Sequence, residues 1–351
     1  MDIEQQVWGF TPEGEAVILY TMTNASGAYV KLTNLGATIV AVGVPDRAGK
    51  IADVALGYNN FTDYAFDGNY FGKTVGRFAN RIAEGRFTLD GKTYRVAVNN
   101  GRNHLHGGIK NFGEVIWEGR VEKNRVVFGY VSPDGDEGYP ANLGVEVIYD
   151  WSNDCELEIT YLAKSDAPTL VNLTNHVYFN LSGEGSGDIL SQVLQMNASR
   201  YLPTDDGSIP LGEPAPVAGT PMDFTSPKPI GRDIDSTDFE QIRFGSGYDH
   251  FWVIDGWEPG KLVQAARVSD PASGRRLEVL TTQPGFMFYS GNHLGGSGHT
   301  KSGVPVAPRS GYAIECQYYP DSPNRPEYPS VVLNPDDTYE QHILFRFGVS
   351  E

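Results

Sequence analysis

The chain has 351 residues, with 44 acidic against 27 basic side chains and a formal net charge of −17. Its Lys and Arg are nowhere clustered as phosphate neutralisation demands, so no nucleic-acid partner is expected; the same charge would repel anionic membranes and phosphorylated substrates. Hydrophobic residues make up 40% and charged residues only 20%, enough to bury a large core, while 41 scattered glycines and 22 prolines suit many short strands joined by tight turns.

The opening segment, MDIEQQVWGF, holds acidic side chains and no apolar run, so a signal peptide is not expected and a cytoplasmic location is the default. No stretch approaches the ~20 apolar residues of a membrane span. Period-2 alternation marks strands over 15–23 and 28–44, and a short helical turn is expected over 60–67. Asn80 and Arg81 close the segment GRFANRI, and both side chains can make paired hydrogen bonds to neighbouring hydroxyls. Residues 86–98 read as a hairpin. Phe87 and Leu89 alternate with polar residues, Asp90-Gly91 supplies a type I′ turn, and Tyr94 and Val96 resume the alternation. In NHLHGG, His104 and His106 stand two apart, which on a strand would aim both rings at one face. A metal there needs a third ligand, which no H-E-x-x-H or C-x-x-C element supplies, so no metal is expected. The glycine pair that follows lets the backbone approach something closely, as a binding loop does.

Further strands are expected over 125–131, 145–149 and 155–162, the last led by Cys155 as a small buried residue ahead of Leu157, Ile159 and Tyr161. Cys155 and Cys316 are the only cysteines, too few for a disulfide framework. In NLTNHVYFNLSG, Val177 and Phe179 alternate with His176, Tyr178 and Asn180. Three polar side chains on one strand face suggest the lining of a polar cleft, and imidazole is the natural acid or base near neutral pH. The Pro- and Gly-rich stretch 202–232 reads as a surface excursion, followed by a helical turn over 237–242. Asp249 lies amid aromatics in GYDHFW, and Gln283 directly precedes Pro284-Gly285. After strands over 261–268 and 276–282 comes the segment 311–318, where Tyr312, Ile314 and Cys316 fall on one side and Ala313, Glu315 and Gln317 on the other. With one face in the core, Glu315 opens toward a cleft, and the Pro-, Tyr- and Asn-rich run behind it offers the rigid aromatic surface that sugars bind. A last strand is expected over 341–347. The sum is an all-β chain whose strands pack as two sheets, a sandwich with room for a cleft.

GRFANRI, NHLHGG, TNHVYFNL, YDHFW and AIECQYYPDSPNRPEYPSVVLNPDDTYEQH, in that order, resemble the galactose mutarotase family, and LTNLGATIVAVGVPDRAGK resembles its opening segment. The resemblance spans roughly residues 30–348. It implies one large antiparallel β-sandwich domain over 1–351, a mutarotase-like supersandwich, acting on a free monosaccharide without any cofactor. Carried residue by residue, it implies His176 as general acid and Glu315 as general base, with Asn80, Arg81, His106, Tyr178, Asp249 and Gln283 binding substrate. His104 stands where several relatives carry a different polar residue, which leaves the identity of the sugar open. A monomer or weak homodimer is expected.

The residue types suit the chemistry. A cyclic hemiacetal opens when a base takes the C1 hydroxyl proton while an acid protonates the ring oxygen, and one carboxylate with one imidazolium suffices. Glu315 is expected to start ionised and His176 protonated. A noncatalytic sugar-binding module would not need that pair. A glycoside hydrolase could cast Asp249 and Glu315 as its two carboxylates, leaving His176 unexplained. A phosphosugar epimerase would want a Lys/Arg cluster that the chain lacks.

Overall fold

The computed structural model describes residues 1–65, 67–296 and 298–350; Phe66, within the turn expected over 60–67, lies outside them. Nine antiparallel strands form the largest sheet, in the spatial order Glu118–Glu122, Arg125–Ser132, Leu143–Trp151, Glu156–Ser165, Tyr339–Val349, Arg275–Thr281, Val263–Ser269, Val193–Met196 and Lys228–Pro229. Six form a second sheet: Tyr178–Phe179, Tyr312–Gln317, Gly285–Tyr289, Asp249–Val253, Arg200–Leu202 and Ala215–Pro216. Five N-terminal strands, from Asp2–Phe10 to Ile51–Asp53, make a meander. Glu240–Gly245 is the α-helix among the described residues.

Period-2 patterning explains how the large sheets pack. Leu157, Ile159 and Tyr161 point inward from one, while Phe286, Phe288, Tyr312, Ile314 and Cys316 point inward from the other, and all share one apolar core. This is the antiparallel β-sandwich that the alternation calls for. Asp90 and Gly91 take φ of 50° and 76°, the two positive values that a type I′ turn requires. The segment 28–44 divides into Tyr29–Thr33 and Thr38–Pro45.

Three local readings are corrected. Cys155 is a half-buried turn residue with φ of 57°, because the chain must reverse before the strand Glu156–Ser165 begins. The stretch 202–232 is no mere surface excursion. Met222, Phe224 and Ile230 are fully buried in the main core, and Trp252 Nε1 donates to the Met222 carbonyl at 3.2 Å. The strands Asp249–Val253 and Gly285–Tyr289 carry side chains buried on both faces, so they show no alternation and escape a period-2 reading.

Candidate active site

The outward face of the six-stranded sheet carries the site. Register places Glu315 opposite Met287, which lies opposite Phe251; one row along, Ala313 pairs with Tyr289, and Tyr289 with Asp249. Tyr178 pairs with Ala313 at the sheet's edge, with His176 just upstream. A cleft of about 170 Å³ opens over this face, and Asn80, Arg81, His106, His176, Tyr178, Asp249 and Glu315 all line it. Residues up to 235 positions apart in the sequence (80 to 315) are thus brought together by the crossing of loops over one sheet.

His176 Nε2 stands 3.5 Å from Glu315 Oε1, and both side chains are buried. Neither His176 Nδ1 nor Glu315 Oε2 has a partner among the described residues. Burial therefore disfavours the charged form of each. It lifts the Glu315 carboxyl to about 8, helped by Asp249 and opposed by Arg81, and it lowers the His176 imidazole to about 4. Burial thus pulls the pair away from the carboxylate–imidazolium form and toward the neutral form, with the proton on the carboxyl. That pull works against the expected starting state of ionised Glu315 and protonated His176. The cause is desolvation, which chain position alone does not reveal. Burial also raises the Asp249 carboxyl, with Arg81 and His293 pulling it back down.

The rim opposite the sheet is built by two loops. Asn80 and His106 clasp each other, the Asn80 N–H donating to His106 Nδ1 at 3.1 Å and the His106 N–H to the Asn80 carbonyl at 3.1 Å. Nδ1 is thereby an acceptor, so the neutral ring carries its proton on Nε2 and offers a donor. Arg81 Nε donates to Asn100 Oδ1 at 3.2 Å. Behind this rim, buried Lys73 contacts Glu114 Oε1 at 2.6 Å and Asp67 Oδ1 at 3.5 Å, and Asp67 Oδ1 accepts the N–H groups of Asn69 and Tyr70. This clamp holds the Tyr70 ring stacked on His176 at 5.7 Å and edge-on to His106 at 4.9 Å. Tyr70, Asn80 and His106 all have positive φ (60°, 66° and 51°), local strain gathered at the cleft.

His106, His176 and Glu315 place ligand atoms within 4.8 Å of one another, the natural place to test for a metal. The donor chemistry does not suit one. A ligating imidazole donates its second N–H to an acceptor, whereas His106 Nδ1 receives a hydrogen bond from the Asn80 amide, leaving Nε2 protonated. The ring is set to donate to a ligand oxygen.

Several expectations fail at this level of detail. His104 does not share a face with His106. The strand stops at Leu105, and the left-handed φ of His106 swings the rings apart. His104 is a core strut, bonded through Nδ1 to the Ala97 carbonyl at 2.7 Å and through Nε2 to the Tyr139 hydroxyl at 2.6 Å. Gly107 admits no Cβ because one would strike the Gly76 carbonyl, so the close approach it permits is to the chain itself. Asn180 turns away from His176 and Tyr178 to donate to the carbonyls of Gly187 and Ser310, each at 3.0 Å. Gln283 is not among the residues lining the cleft, and its Nε2 donates to the carbonyls of Leu173 (3.0 Å) and Cys316 (2.9 Å). Conversely, Tyr70, Tyr289 and His293 line the cleft unforeseen. Asp67-Gly68-Asn69 is a turn signal just ahead of Tyr70, yet nothing in it says where the ring goes.

The sequence model of the aldose 1-epimerase family matches residues 19–346. Over 350 residues, covering all of both chains, the sequence is 42% identical to the galactose mutarotase of Bos taurus. It is 39% identical to the aldose 1-epimerase of Escherichia coli K12 over 339 residues, 96% of each chain. The crystal structure of galactose 1-epimerase from Lactobacillus acidophilus NCFM superposes with a TM-score of 0.86 at 30% identity, covering 100% of this chain and 99% of that one.

Proposed function

This chain belongs to the aldose 1-epimerase family, and we propose that it interconverts the anomers of aldohexoses such as glucose and galactose with Glu315 as general base and His176 as general acid. The observation that carries the residue assignment is the 3.5 Å approach of two buried side chains, one a carboxyl and the other an imidazole.

The reaction needs one proton between the pair, and desolvation favours keeping it on Glu315. Moving the proton from Glu315 to His176 creates the carboxylate–imidazolium arrangement without exchange with solvent. A bound pyranose favours that arrangement, because its O1–H donates to the carboxylate and its O5 accepts from the imidazolium, replacing solvation that burial removed. Glu315 then takes the O1 proton as C1=O1 forms, the C1–O5 bond breaks, and His176 gives its proton to O5. The pair now holds its proton on Glu315 and the imidazole is neutral, the form that burial favours. The open chain rotates about C1–C2, and the steps reverse on the other face. Arg81 and the Nε2–H of His106 are placed to hold sugar oxygens and to steady the negative charge that moves between them.

One core joins the five-stranded meander to both larger sheets, which supports residues 1–351 acting as a single domain. No helix among the described residues is long and apolar enough to cross a membrane. Polarimetry of freshly dissolved α-glucose and α-galactose with catalytic protein tests the proposal. Relaxation of both sugars at the buffer rate overturns it.

A further inference from the structure

The reaction above makes no use of His293, yet the fold fixes this residue with care. On its N-terminal side, Asn292 Nδ2 donates to the carbonyls of Gly245 (2.8 Å) and Tyr248 (3.0 Å), while Asn292 Oδ1 accepts from Ser290 Oγ at 2.7 Å. On its C-terminal side, Leu294 is buried in an apolar cluster with Tyr58, Phe71 and Tyr178. The N–H of His293 itself donates to the Tyr289 hydroxyl at 2.8 Å. A little further on, Asn69 Nδ2 reaches the Tyr58 hydroxyl at 3.0 Å and the Gly295 carbonyl at 3.5 Å, tying the two loops together across the mouth. The backbone is thus pinned on both sides while the residue remains exposed and its side chain lines the cleft beside Asp249. A ring held this way is presented to a ligand with little ordering entropy left to lose.

Register indicates which part of a sugar it meets. Asp249 stands two strands across the sheet and one row along from Glu315, roughly 12 Å away between Cα atoms at the usual strand geometry. If Glu315 takes the O1 proton, C1 lies at the Glu315 end, and the ring carbon directly across a pyranose from C1 is C4. The Asp249 end of the cleft, where His293 stands, therefore faces the C4 hydroxyl.

We propose that His293 is a substrate-contacting residue that, together with Asp249, grips the C4 hydroxyl of the pyranose and sets how the site ranks sugars differing at C4, as glucose and galactose do. This rests on the reading that Glu315 and His176 hold C1 and O5. His293→Ala should raise KM for glucose and galactose about tenfold, to unequal extents, with kcat changed less than about twofold, the loss expected for one hydrogen bond used in binding. On 4-deoxyglucose the same substitution should change KM less than about twofold, because the contact is already gone. His293→Asn, which keeps a donor, should recover part of the loss. Equal losses on glucose and 4-deoxyglucose, or no loss on either, overturn the proposal. Calorimetric binding of 1,5-anhydroglucitol, which has the ring and the C4 hydroxyl but no anomeric hydroxyl to react, separates the two readings. If the wild type fails to speed mutarotation but His293→Ala weakens this binding about tenfold, the catalytic reading falls and the contact stands. If binding is identical in both proteins, the contact falls whatever the turnover.

Discussion

The two faces of the strand Tyr312–Gln317 bury their side chains almost equally and to opposite effect. Inward, Tyr312, Ile314 and Cys316 meet Phe286 and Phe288 in the core of the sandwich. Outward, Glu315 is just 2% exposed, but its neighbours are ionisable groups and one of its carboxylate oxygens has no partner among the described residues. Burial of apolar area stabilises the fold by about 25 cal/mol per Å². Burial of Glu315 costs free energy instead, and its pKa near 8 records that cost. The comparison teaches that one alternating strand can serve both ends. The inner residues supply the surplus stability that lets the outer carboxyl remain desolvated and reactive, and substitutions on the two faces should separate cleanly into effects on rate and effects on folding.

The largest effect expected is on rate. Glu315→Gln and His176→Asn should each lower kcat by about 10²–10⁴, the usual worth of a positioned acid or base, and the double variant should lose little more than the worse single one. Because the pair works while it holds one proton, kcat/KM should be bell-shaped in pH. Below about 4 a second proton occupies the imidazole and no base remains; above about 8 the shared proton leaves and no acid remains. These limbs belong to the pair as a unit. A profile confined to the ordinary Glu and His values of about 4.3 and 6.5 would show that desolvation does not govern the site. Near-wild-type kcat in Glu315→Gln would falsify the base assignment.

On the inward face the change should register in folding alone. Ile314→Ala, 1% exposed in the wild type, should cost about 2–5 kcal/mol of stability by denaturant titration, with kcat of the folded fraction within a few-fold of normal. A collapse of kcat at unchanged stability would mean that the faces are not independent. Next in size are the groups proposed to hold the sugar. Arg81→Ala and Asp249→Asn should each cost about 1.5–3 kcal/mol in kcat/KM, roughly ten- to a hundredfold, while melting as the wild type does.

The strand pairs that alternate, such as Leu143–Trp151 with Glu156–Ser165, were legible from period 2, as was the inward-outward split that sends Glu315 to the cleft. Asn80, Arg81, His106, His176, Tyr178 and Asp249 were reached through the family resemblance, and the fold does bring them to one place. What stayed hidden depends on more than chain order. Strands buried on both faces, such as Asp249–Val253, show no period. A single left-handed residue at His106 undoes the alternation that had paired it with His104. Tyr70 reaches the site through a buried Lys73–Glu114 contact between residues 41 positions apart, and the upward pull on the Glu315 carboxyl depends on solvent exclusion by the assembled cleft.

Gln283 offers the finest test of where the boundary between the two faces runs. Its sequence context suggested a hand on the sugar, but its amide is spent on the backbone: Nε2 joins the carbonyls of Leu173 and Cys316, the latter directly following Glu315. Removing it should therefore loosen the strand that carries the base rather than the grip on substrate. Gln283→Met keeps the length of the side chain and deletes both donors, so two buried carbonyls lose a partner. The expected cost is about 1–2 kcal/mol of stability, seen as a Tm lowered by a few degrees. KM for glucose and galactose should stay within about twofold, since no donor aimed into the cleft has been lost. The opposite pattern, KM raised about tenfold at unchanged Tm, would put Gln283 among the sugar's direct contacts and would require its amide to rotate out of the sheet when substrate binds. The Oε1 atom, buried without a partner among the described residues, makes the experiment discriminating. A methionine there removes an unsatisfied acceptor along with the two donors, so a loss of stability despite that relief must come from the carbonyls of Leu173 and Cys316.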